Sequence, residues 1–272
     1  MLEKFQKNGK YLMLALDHRG SFKKYVRKDN PEMVSDAEII SAKKLIIDAL
    51  YDDMSGVLVD PNWGLPAYQG REKPFLLCIE KTGYSESAGE RTTELQYTAE
   101  ELADLGASGV KLLLYFNPIA SNVNEQLETA KKVAAQCSEV GLPYFLEIVT
   151  YGEEAKIDRG SVIIKSIGML LDFNVKPDVF KLEFPESPEA CSTISEMLAP
   201  KKIPWILLTG GEDYDTFRER LIIAVKHGAV GFLAGRAIWQ EMADFTDEAS
   251  RAKFINEVAT KRFKDICEIA AQ

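Results

Sequence analysis

Histidine and cysteine are scarce in this sequence: two histidines and four cysteines among 272 residues. The cysteines (Cys78, Cys137, Cys191 and Cys267) lie far apart, with no CxxC pair and no dense framework. That usage is expected of free thiols in a reducing compartment. His18 and His227 are too few for a catalytic zinc centre of three histidines. No HExxH pattern and no nucleophile elbow is present, so no metal and no cofactor is expected. Long apolar runs are absent as well, which excludes a bilayer-spanning helix. The first twenty residues lack the basic, then apolar, then small-residue order of a secretory signal, and a cytoplasmic location is expected. Low-complexity segments, linkers and short-period repeats are also missing. Positive charge is in deficit, 33 Lys and Arg against 42 Asp and Glu, for a formal net charge of −9. This argues against nucleic acid or an anionic membrane as partner, while leaving room for a local cationic pocket that takes an anionic metabolite.

What the chain does have is a regular alternation. Short runs rich in Val, Ile, Leu and Phe recur at 11–17, 56–61, 75–81, 109–116, 143–151, 179–185, 204–211 and 229–235. Between them lie amphipathic stretches with helix-end signals. Ser35 and Glu38 have the capping-box spacing ahead of Ile39, Ile40, Leu45 and Ile46, and Gly141 and Gly228 stand where helix C-caps belong. Helices are expected over about 213–227 and, as one piece, over about 247–270. Eight strand-then-helix units in a chain of this length predict an α/β fold, a (β/α)8 TIM barrel, as a single domain over 1–272. The alternative, an open dinucleotide-binding sheet, wants G-x-G-x-x-G after the first strand. Here that turn reads Asp17-His18-Arg19-Gly20-Ser21.

Several of these strands carry charges that a buried strand should not have. In 176–185, prolines bracket a run in which Val179, Lys181 and Glu183 share one face and Phe180, Leu182 and Phe184 the other. A lysine in low dielectric is destabilised as ammonium, and its free amine can attack a carbonyl to form a Schiff base. On the first strand Leu12, Leu14 and Leu16 should face helices, leaving Asp17 aimed into the barrel mouth. Lys111 and Glu147 each interrupt an almost wholly apolar run on the fourth and fifth strands. A salt-bridge network that plugs the barrel is the competing explanation, but such a network gains little over an apolar core. A Schiff-base enzyme needs this set: a nucleophilic lysine, a second cation, and carboxylates to move protons. Lys81, closing the third strand, is expected at the mouth as a substrate-contacting or structural residue. Gly210 and Gly211 after the seventh strand, and Gly235 and Arg236 after the eighth, stand where such barrels often hold a phosphate. His227, beside a helix-ending glycine, is expected to act as a capping cation.

The motifs at 15–20 (ALDHRG), 59–66 (VDPNWGLP), 80–84 (EKTGY), 109–112 (GVKL), 178–183 (DVFKLE) and 232–239 (FLAGRAIW) resemble the class I tagatose-1,6-bisphosphate aldolase family. Close relatives of that family include the sulfofructose-phosphate aldolases. The resemblance implies a barrel that reversibly cleaves a ketose phosphate into dihydroxyacetone phosphate and an aldehyde. Tagatose or fructose 1,6-bisphosphate and 6-deoxy-6-sulfofructose 1-phosphate are the substrates it suggests. It implies that Lys181 is the Schiff-base lysine, Glu147 the acid/base, and Lys111 and Asp17 their polar partners. Gly211, Gly235 and Arg236 would, by the resemblance, cradle the dihydroxyacetone phosphate group; Arg19, Lys81 and Gly210 are expected, from their places at the mouth, as further substrate or phosphate contacts. The chain is shorter than expected of bisphosphate aldolases, and His18 stands where glutamine is common. A homo-oligomer is expected. A transaldolase using the same imine, and a non-catalytic sugar-phosphate-binding barrel, are the alternatives.

Overall fold

The computed structural model describes residues 1–272. All eight runs form strands: β1 (Tyr11–Leu16), β2 (Gly56–Val59), β3 (Phe75–Cys78), β4 (Gly109–Phe116), β5 (Tyr144–Thr150), β6 (Val179–Leu182), β7 (Trp205–Leu208) and β8 (Gly231–Ala234). They pair in parallel in chain order, and the ring closes where Tyr11 to Leu14 of β1 lie against Gly231 to Ala234 of β8. The architecture is the expected (β/α)8 barrel. Several strands end earlier than the apolar runs do: β3 stops at Cys78 and β6 at Leu182. The residues beyond those ends, Glu80 and Glu183 among them, have left the ladder for the C-terminal mouth.

Side-chain alternation sorts the core into two layers. Leu12, Leu14 and Leu16 join the large cluster between sheet and helices, as their spacing predicts. Met13 and Ala15, with Leu58, Leu76, Phe145, Val179, Ile206 and Leu233, fill the barrel interior. The N-terminal end of that interior is sealed by Phe5, on the short helical turn Leu2–Phe5. Its ring is fully buried and meets Phe145 edge-on at 5.3 Å. Gly56 and Gly109, the first residues of β2 and β4, make room for it. A Cβ at either position would lie 3.2 or 3.4 Å from the Phe5 ring. With that end plugged, only the opposite end of the barrel can admit a ligand.

The helices follow their end signals. Asp36–Leu50 starts in a complete capping box, Ser35 accepting from the Glu38 amide while the Glu38 carboxylate accepts from that of Ser35. Val123–Val140 ends at Gly141 in the left-handed conformation. His227 follows the helix Tyr214–Lys226, and its ring bonds Ser192 Oγ on the preceding helix at 2.9 Å. The stretch expected as one helix over 247–270 is three pieces: Glu248–Phe254, a wide π turn Ile255–Ala259, and Thr260–Ala271. Buried Ile255, Ala259 and Phe263 are four residues apart, longer than the α-helical repeat, and the wider turn returns them to one face. Apolar patterning did not disclose the antiparallel hairpin Ser85–Ser87 and Glu90–Thr92, whose residues are polar and exposed or half-buried. It turns through Ala88 and Gly89, both at positive φ, and the Arg91 guanidinium rests 4.4 to 5.6 Å from the rings of Tyr84, Tyr115 and Tyr151.

Replacing the plug tests this account of the barrel. Phe5→Ala is expected to lower stability by about 3–5 kcal/mol through the cavity it leaves. Urea unfolding with an unchanged m-value would measure the loss, and a loss below about 1 kcal/mol would contradict the sealing role.

Candidate active site

Neighbouring strands place their charged residues on the inner face of the ring at nearly the same height. Glu147 on β5 lies beside Lys181 on β6 in register, and Leu113 of β4 lies beside Glu147. The Lys111 ammonium has no solvent exposure and stands 2.8 Å from Asp17 Oδ2, 2.6 Å from Glu80 Oε1 and 3.3 Å from Glu147 Oε2. Lys181, 4% exposed, donates to the same Glu147 oxygen at 2.8 Å. One carboxylate thus bridges the two lysines.

The electrostatics follow from burial set against proximity. Burial alone would lower the pKa of Lys111, but Asp17, Glu80 and Glu147 together outweigh it and raise that pKa well above the ordinary lysine value. Burial pushes the Asp17 and Glu147 carboxyls up, yet the two ammonium groups together bring both below the ordinary carboxylate range. Glu183 differs: burial raises its pKa, although the Thr150 amide and hydroxyl both donate to its Oε2 at 2.7 Å. His18, between Asp17 and Arg236, is held neutral, its pKa brought down to about 4 chiefly by burial.

These side chains wall a cavity of about 380 Å³ at the C-terminal mouth. Asp17, Lys111, Glu147 and Lys181 all face it, as do Arg19, Lys81, Gly210 and Arg236. Arg19 is engaged with the loops, donating to the Glu80 carbonyl at 2.6 Å and the Gln96 amide oxygen at 2.8 Å. Lys81 stands at the outer rim, with most of its side chain in solvent and its amine on Glu94 at 2.9 Å. Gly211 and Gly235 do not line the cavity and instead seat its walls. A Cβ on Gly211 would come within 2.8 Å of the Arg236 guanidinium, and one on Gly235 within 3.0 Å of the Ala15 carbonyl oxygen. Arg236 Nε is a buried donor with no partner in the protein.

Sequence reasoning passed over Glu80 in favour of Lys81. The alternation along β3 could have found it: Leu77 and Ile79 pack outward, so Leu76, Cys78 and Glu80 point in. Glu80 is the nearest carboxylate to Lys111 and also accepts from the Leu113 amide at 3.0 Å. Glu183 shares the face of Lys181 and lines the same cavity, although only the lysine stood out as a candidate. Thr150, which orients Glu183, carries no signal in the sequence.

A closed barrel whose mouth holds a buried amine, a carboxylate in contact with it and an unpartnered arginine donor fits an aldolase-type (β/α)8 lyase. The family model described as DeoC/LacD family aldolase matches residues 11–241, and the chain belongs to that family. Its reaction class is accordingly that of a carbon–carbon lyase. The tagatose 1,6-diphosphate aldolase of Staphylococcus aureus strain MW2 is 29% identical over 94% of this chain and 88% of its own. Among solved structures, an archaeal fructose 1,6-bisphosphate aldolase superposes with a TM-score of 0.71 at 19% identity, covering 99% of this chain and 97% of that one. A structure of an archaeal fructose-1,6-bisphosphate aldolase with its catalytic lysine covalently bound to the carbinolamine intermediate of the substrate gives 0.69 at 18% identity over 100% and 98%. At those identities the structures speak to the fold. No helix is long and apolar enough to cross a membrane.

The depressed His18 pKa sets a direction for acid stability. The unfolded chain takes up a proton near pH 6.5 that the folded chain refuses until about pH 4. Stability is therefore full above pH 6.5 and falls between those values. His18→Gln is expected to remove this share of the loss, on the order of 2 kcal/mol at pH 4.5. Urea unfolding at pH 7 and 4.5 checks it; a variant as acid-sensitive as the parent would contradict the assignment.

Proposed function

We propose that the chain is a class I aldolase in which Lys181 forms an imine with the ketone of a phosphorylated ketose, releasing dihydroxyacetone phosphate and an aldehyde. The observation that carries this is the Lys181 amine, nearly dry at the cavity wall, with Glu147 Oε2 at 2.8 Å. Family membership and the named substrates of the relatives, all hexose bisphosphates, support the substrate class.

The geometry suggests an order of events. Glu147, kept ionised by the two lysines, accepts the proton that Lys181 must lose before its nitrogen attacks the ketone carbon. The same carboxyl returns that proton to the carbinolamine oxygen, which leaves as water. The sugar's C4 hydroxyl then gives its proton to the Asp17 carboxylate, held ionised beside Lys111, and the C3–C4 bond breaks. Its electron pair moves into the iminium to give an enamine, and the aldehyde departs. Return of that proton from Asp17 to the enamine carbon, followed by addition of water to the iminium, releases dihydroxyacetone phosphate and the free lysine. Lys111 remains a fixed cation through this sequence, placing Asp17 and Glu147. Arg236, with its unpartnered Nε, and the Gly210 backbone are the phosphate donors on this reading. Four free, buried thiols support a reducing cytoplasm as the working compartment.

Borohydride added with dihydroxyacetone phosphate is expected to trap one adduct, on the peptide carrying Lys181; an adduct on another lysine would refute the assignment. Lys181→Ala should lose at least ~1,000-fold in turnover with its circular dichroism unchanged. Glu147→Gln should lose on the order of 100-fold or more. Turnover should persist in chelator, whereas its loss there would favour metal chemistry over the imine.

A further inference from the structure

One buried ion pair lies outside the reaction scheme. Lys43 is on the helix Asp36–Leu50, in the same apolar stripe as Ile39, Ile46 and Ile47, and has no solvent exposure. Its amine reaches across to the turn after β1 and donates to the carbonyl oxygens of Leu16 and His18, each at 2.8 Å. Those are the carbonyls on either side of Asp17. The third partner of the amine is Asp60, fully buried at the end of β2. Asp60 in turn accepts from the amides of Asn62, Trp63 and Gly64 at 2.8 to 3.0 Å. Gly64 is required for that fit, because a Cβ there would come within 2.9 Å of the Asp60 carboxylate.

A buried ion pair is a costly way to dock a helix on a barrel, and an apolar pair of similar volume would usually do as well. An apolar pair cannot, however, bond two carbonyls of a turn, one on either side of Asp17. We propose that Lys43, anchored by Asp60, is a positioning residue for catalysis: by clamping the backbone on both sides of Asp17 it holds that carboxylate against Lys111. This rests on the aldolase reading above. The clamp acts where the tolerance is smallest. Asp17 is the first residue beyond β1, no longer held by the β ladder, and its Oδ2 must stay 2.8 Å from the Lys111 ammonium. An error of about 1 Å at a reacting group can cost on the order of 100-fold in rate. The same turn brings His18, Arg19 and Ser21 to the cavity, so its placement matters beyond one side chain.

A double-mutant cycle in the full-length protein tests this. Lys43→Met is expected to lower kcat at least ~30-fold while KM stays within ~3-fold and the borohydride adduct at Lys181 still forms. In an Asp17→Asn background the same change should cost less than ~3-fold, because the group it positions is already gone. Equal losses in both backgrounds, or a KM that rises in step with the fall in kcat, would mean Lys43 is merely structural and would overturn the proposal. Should Lys43→Met not fold, Lys43→Arg is taken through the same cycle. That variant keeps the cation but replaces the amine's three-way geometry, and the same outcomes decide. Failure to trap any adduct in the parent protein would instead strike the aldolase reading, so the two failures are distinguishable.

Discussion

An ammonium group with no access to water is the constraint on which the rest of this molecule depends. Lys111 can stand inside an apolar barrel because carboxylates from three loop or strand positions, Asp17, Glu80 and Glu147, close on it within 3.3 Å. Removing any one would leave charge uncompensated in low dielectric, which is far more costly than never having placed it there. The demand runs outward from that point. Strand register must bring Glu147 beside Lys181, the turn after β1 must keep Asp17 in place, and β3 must end so that Glu80 turns inward.

The same arrangement gives two lysines a few ångströms apart different surroundings. Lys111 is ringed on several sides and stays protonated, whereas Lys181 has a single carboxylate partner and an open side toward the cavity. On the proposed scheme, placing the Lys181 amine next to a carboxylate that a neighbouring cation keeps ionised supplies a proton acceptor without requiring a histidine or a metal. Ring closure and the Phe5 plug contribute by making the opposite end the only way in.

Glycine and arginine divide one end of the cavity in a way that motif reading does not anticipate. Gly211 and Gly235 do not themselves face the ligand space; they leave room for the Arg236 guanidinium and for the approach of β1. A Gly-Gly signal after β7 therefore reports the packing that lets the arginine reach inward, and of these late glycines Gly210 alone lines the cavity.

The local information in the chain was enough for the strands, most helix ends and the inward aim of Asp17, Lys111, Glu147 and Lys181. Each depends on periods of two or 3.6 residues, on capping chemistry, or on a charge interrupting an apolar run, all of which lie within a few residues of one another. Glu80 was within reach of the same alternation and was lost to the more conspicuous lysine beside it. The sequence could not disclose the partner of each charge. That Glu147 bridges two lysines, that Thr150 orients Glu183, and that Lys43 on a helix bonds the turn carrying Asp17 all depend on the barrel, which joins residues 25 to 36 positions apart. Hydrogen-bond geometry at such separations is set by register and tilt around the ring, and no local pattern encodes it.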